Sequence, residues 1–133
     1  MHTIDDAALR EALEQLPAMC PAFAGAVVAS RDGLVLAAIG DYGGDTPAAC
    51  AASLSVHLED DLQPLGQDRG DPGLQEALLF GRERLWHLTR LGGGHLLLVG
   101  CGPTPHVGAL RLAGQTAAQR LNRWLDPAQP AGT

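Results

Sequence analysis

The sequence predicts an α+β fold of element order αββαβββα, a five-stranded antiparallel sheet with helices on both faces. Three observations lead there. Residues 24–30, up to the closing Ser30, and residues 96–99 have no polar alternation, so strands formed there have no solvent face and need cover on both sides. Asp32-Gly33 lies between two apolar runs, a strong hairpin signal. Three other stretches repeat their apolar residues at helical spacing.

The first helix is expected over residues 4–16, with Thr3 as N-cap and Asp5 and Asp6 where acids suit the helix dipole. Leu9, Leu13 and Leu16, with Ala12 beside them, form its apolar face; Arg10, Glu11, Glu14 and Gln15 fall opposite. Pro17 and Pro21 are expected to end it. Residues 23–30 and 34–40 then form a hairpin about a type I′ turn at Asp32-Gly33, placed centrally in the sheet.

After the loop 41–45, Thr46 and Pro47 read as cap and first helical residue of a second helix over 48–65. Leu54, Leu58, Leu62 and Leu65 make its main stripe, expected to face the sheet. A flanking set of mostly small residues, Ala49, Ala52, Ser53, Val56 and Asp60, suits a second contact surface on the same helix. Residues 67–73 are a polar loop. Strands follow at 75–80, 84–91 and 95–101, joined by a turn at 81–83 and by Gly92-Gly93-Gly94. Thr104-Pro105 repeats the cap-plus-proline start. The closing helix, Val107–Leu125, carries Leu110, Ala113, Ala117, Leu121 and Trp124 on one face, with Arg111, Gln115, Gln119 and Asn122 toward water. Residues 1–133 are expected to form one domain with an ordered core of about 4–126 and a short tail containing Pro127 and Pro130. The first and last helices should share one sheet face and the middle helix should cover the other.

Composition narrows the function. Net charge is −6, which argues against a nucleic-acid partner. Every basic residue is Arg, so a Walker-type phosphate loop and Schiff-base chemistry lack their lysine. No apolar run reaches the roughly 18 residues that span a bilayer. The N-terminus carries acids where a signal peptide carries bases. With three scattered cysteines and no C-x-x-C, a cytoplasmic chain with reduced thiols is expected.

No constellation recommends catalysis or a metal. His87 and His95 lie on adjacent strands, but the turn between them should set Arg90 opposite His95. Cys50 and His57 stand about 10 Å apart along one helix, too far to share an ion. Cys101 ends a buried strand near His95 and His106, where burial raises a thiol pKa instead of activating it. Asp60-Asp61 point different ways on a helix, and the glycines of residues 40–44 lack phosphate-loop spacing. No catalytic residue, metal or cofactor is therefore expected. Arg82 and Arg84, on a hairpin tip, are candidates for contact with a partner, against the ordinary reading as solubilising surface arginines.

The chain resembles the roadblock/dynein light chain family, whose sheet is profilin-like. The resemblance is carried by the hairpin of residues 25–37, by the Ala-rich second helix, by His95-Leu96-Leu97-Leu98-Val99, and by Val107-Gly108-Ala109-Leu110-Arg111 with Ala117, Ala118 and Leu121. It implies a dimer in which the second helix and the strand after it pair with their copies. It also implies regulation of a small Ras-like GTPase, as in the bacterial gliding-motility protein B-like regulators, with no catalytic residue of its own. The expected homodimer interface is Ala49, Ala52, Ser53, Val56, Asp60, Ala77 and Leu79. The alternatives are a small-ligand sensor of profilin or PAS type, which needs a pocket with polar anchors, and a scaffold for another partner.

Overall fold

The computed structural model describes residues 5–67, 73–103 and 106–125. Helix α1 (Asp6–Leu13) starts at Asp5, whose carboxylate accepts from Ala8 N. Thr3, the expected cap, lies outside the described residues. Pro17 does not end this helix; it sits in the first turn of a second short helix, α2 (Leu16–Met19), where its missing N–H costs nothing. The five strands are β1 (Phe23–Ala29), β2 (Val35–Gly40), β3 (Glu76–Phe80), β4 (Leu85–Arg90) and β5 (Leu96–Cys101). Helix α3 (Asp45–Leu62) lies between β2 and β3, and α4 (Val107–Leu125) follows β5.

All strand pairs are antiparallel, in the order β2-β1-β5-β4-β3. The two runs without a polar alternation, β1 and β5, sit inside the sheet as their composition requires. The expected central hairpin is half right, because β2 is an edge strand. The turn also differs from expectation. Gly33 N donates to Ser30 O, Ser30 N donates to Leu34 O, and Gly33 alone takes a positive φ, +85°. Asp32 stays out of the left-handed region, so this is a longer loop closed by a left-handed glycine, not a two-residue type I′ turn.

Sheet alternation divides the core. Ala26, Val28, Leu97 and Val99 face α1, α2 and α4, where Leu9, Leu13, Leu16, Leu110 and Leu121 are fully buried. Burying each such leucine contributes about 1.5–3 kcal/mol. Val27, Ala29, Leu88, Leu96 and Leu98 face α3. The assignment of helices to faces thus follows the sequence reading.

The register of α3 does not. Its two fully buried residues are Ala48 and Ala51, which bring the helix close over β1 and β5. Leu54 and Leu58 pack only partly against that core, and Leu65 is 82% exposed in a 3-10 turn, Gln63–Leu65, that follows the helix. The helix also starts earlier than expected, after Gly44 and not after Thr46. On α4, Leu110, Ala113, Ala117 and Leu121 are buried as expected, but Trp124 is 42% exposed and Leu125 takes the inward position.

Candidate interaction surface

The surface singled out by the sequence is built from α3 and the edge strand β3. Among the described residues β3 pairs with β4 alone, with Leu79 opposite Trp86 and Ala77 opposite Leu88. Ala77 and Leu79 therefore point to the α3 side of the sheet, and both are half-buried. An unpaired strand edge beside apolar side chains is a template for pairing with another chain.

Glu59 fixes α3 against this edge. Its Oε1 accepts from Leu74 N at 2.9 Å, just before β3, and lies 3.7 Å from Arg90 Nη1 on β4. Ala49, Ser53 and Val56 are exposed on α3, Val56 at 55%, and Asp60 is half-buried. Ala52 has a different setting: with Ala49 it stands over Gly33 of the β1–β2 turn and packs on the α3-side core. Arg82 and Arg84 lie in the exposed hairpin loop between β3 and β4, which Gly81 N closes by donating to Arg84 O.

Two arrangements beside this surface were not anticipated. In the first, Glu76 of β3 points to the opposite side of the sheet. Its carboxylate takes Arg111 Nε at 2.9 Å and Nη2 at 3.0 Å, Gln115 Nε2 at 3.3 Å and His87 Nε2 at 2.9 Å. His87 is fully buried, with Thr89 Oγ1 3.1 Å from its Nδ1. The hydrogen bonds from Arg111 and His87 hold the Glu76 carboxyl down at about 2. Arg111 and Gln115, expected to face water, thus tie α4 to the sheet edge, and Asn122 Oδ1 accepts from Gly92 N at 2.8 Å. The sequence signal for this was one acid on the inward phase of an otherwise apolar strand, Glu76-Ala77-Leu78-Leu79-Phe80. In the second, the ring of Tyr42 lies on Gly25 and Gly100, and its hydroxyl accepts from Trp86 Nε1 at 3.0 Å. Tyr42 and Trp86 thereby extend the α3-side core over Gly25 and Gly100.

The chemistry of the thiols matches a packing role. Burial pushes the Cys20 thiol up to about 12, with a smaller contribution from Cys101, and burial also raises Cys101. Leu91 N donates to His95 O and Arg90 pairs with Leu96, so the turn is one residue off the expected Arg90–His95 pairing. Among the described residues, no group of three His, Cys, Asp or Glu side chains could hold a metal, and no helix is long and apolar enough to cross a membrane. Grooves among the described residues include one of about 410 Å³ between α1 and α4 and one of about 540 Å³ beside Phe23, Asp41 and Arg84.

No protein-family model matches the sequence, and no curated protein does. Solved structures match over nearly the whole chain. An MglB with a tetrameric arrangement superposes at TM-score 0.78 and 24% identity, covering 94% of this chain and 93% of its own. The gliding protein MglB of Thermus thermophilus does so at 0.78 and 22%, with 94% and 93% covered. A Roadblock/LC7 domain from Streptomyces avermitilis reaches 0.74 at 22%, with 87% and 96% covered. The α3-and-β3 surface described above is therefore carried on a Roadblock/LC7 fold.

Proposed function

We propose that the chain forms a twofold homodimer through α3 and β3, and that the dimer binds a small Ras-like GTPase and alters its nucleotide cycle. The observation that carries this reading is the bare edge of β3 flanked by Ala77 and Leu79 beside an α3 whose exposed side bears Val56. A twofold axis sets each such patch on its own copy and removes the exposed edge. The likeness to MglB structures supports the same reading, because the resemblance that the sequence bears to those regulators implies a GTPase as partner.

The protein acts without a nucleophile or metal of its own. A dimer that binds one conformation of a GTPase better than the other shifts its population, and the GTPase's own groups do the chemistry. Arg82 and Arg84, exposed on the β3–β4 loop, are the side chains we assign to contact with such a partner. The test is GTP hydrolysis and nucleotide release by a small Ras-like GTPase from the same source, with and without the protein. A change in either rate is expected. If neither changes and the protein instead retains a specific small ligand, the sensor reading replaces this one.

A further inference from the structure

The geometry points to a second docking surface, the groove between α1 and α4, which takes a peptide segment of a partner protein carrying an apolar side chain flanked by carboxylates. This groove lies across the sheet from α3 and β3, so it is independent of the dimer and of the GTPase reading.

Its α1 side is lined by Ala8, Glu11, Ala12 and Gln15. Ala8 and Ala12 of α1 leave an open volume of about 410 Å³ against the last turns of α4. Its α4 wall is Arg120, Arg123 and Trp124. Helical spacing places Trp124 with the core-facing set, yet 42% of it is exposed, and it lines the groove. An aromatic beside two arginines is the composition of a binding anchor.

Charge selects the occupant. Arg120 and Arg123 are in no ion pair among the described residues, although the chain as a whole carries a net −6. The other arginines of these two helices are engaged: Arg10 lies 3.4 Å from Glu14, and Arg111 binds Glu76. The one acid on the groove, Glu11, stands on the α1 wall and leaves the α4 wall positive. Two uncompensated guanidiniums one turn apart suit carboxylates on an incoming segment, and Trp124 with Ala8 and Ala12 suits an apolar side chain between them.

The test uses the full chain and a displayed library of short random peptides, followed by affinity measurement on synthetic versions of the selected ones. Selected peptides should carry Asp or Glu on either side of Leu, Ile or Phe. Their binding should weaken about tenfold or more in Arg123→Glu and in Trp124→Ala, and should fall as salt rises. Arg120→Glu should act alike; Arg123 is exposed, so its variant reports on binding even if Arg120→Glu perturbs folding. Peptides without acidic enrichment, or binding indifferent to Arg123→Glu and Trp124→Ala, overturn the proposal. So does tighter peptide binding in Asp126→Asn, which removes the single side-chain carboxylate of residues 126–133 and would make the chain's own end the occupant. A change in sedimentation caused by Arg123→Glu alone would assign the groove to a second copy of the chain and also overturns it.

Discussion

Gly114 of α4 lies directly against the imidazole of His87, so close that a Cβ at this position would overlap Nδ1 of the ring. The absence of a side chain at 114 is what lets a fully buried histidine stay in the sheet and reach Glu76 at the edge strand. Gly114→Ala should therefore push the ring away, break the His87–Glu76 bond and strain α4. A loss of about 2–4 kcal/mol is expected, combining overpacking with a severed charge-assisted hydrogen bond. Urea unfolding checks it: the midpoint should drop with an unchanged slope. Wild-type stability in this variant would mean that the ring has room to move.

The Glu76 carboxyl gives acid unfolding a particular window. Its pKa is depressed from 4.5 to about 2, first by the hydrogen bonds from Arg111 and His87. A depressed carboxylate stabilises the fold above its unfolded value and loses that contribution as pH falls through the folded one. The stability gap between wild type and Glu76→Gln should thus be full at neutral pH and close between about pH 4.5 and about pH 2. At neutral pH the gap should be roughly 1–3 kcal/mol, the usual size for hydrogen bonds to a charged group. A gap that does not change on acidification would mean that the ionised Glu76 carboxylate contributes nothing to the fold.

Tyr42 and Gly100 make a similar fit on the other face. A Cβ on Gly100 would overlap the Tyr42 hydroxyl, so Gly100→Ala should expel the ring and cost the Trp86–Tyr42 bond. Trp86 should then gain solvent, and its fluorescence should shift to longer wavelength. The shift should be absent in a Gly100→Ala, Trp86→Phe double variant, whose remaining tryptophan is Trp124.

These contacts mark where the sequence could and could not be read. Helix α4 was legible because its buried face, Leu110, Ala113, Ala117 and Leu121, repeats at helical spacing within one segment. The inner strands β1 and β5 were legible because they have no polar phase. Helix α3 misled, because its leucines dominate the pattern while close approach to the sheet selected Ala48 and Ala51 for full burial. The Glu76–Arg111 pair spans 35 residues, and no local periodicity records which side chains meet across that distance. Of the interface residues expected from sequence, Ala77 and Leu79 share the α3 side of the sheet by strand alternation. Ala52 could not be separated from Ala49 and Val56 until the Gly33 turn was located beneath it.

That placement decides which substitution tests the dimer. Ala52→Glu strikes packing against Gly33 as well as any interface. Val56 is 55% exposed in the single chain, so Val56→Asp should leave the fold intact and act on association alone. Light scattering at micromolar concentration should give a dimer for the wild type and a monomer for Val56→Asp, with the same circular dichroism spectrum. A buried, unpaired carboxylate at a twofold contact is costly twice over.

The most direct measurement is sedimentation velocity of this chain mixed with a small Ras-like GTPase from the same source, loaded either with GDP or with a non-hydrolysable GTP analogue. A complex of two copies of the chain with the GTPase is expected, populated differently with the two nucleotides and lost in Val56→Asp. A chain that sediments as a monomer, or a dimer that ignores the GTPase in both nucleotide states, would contradict the proposed function.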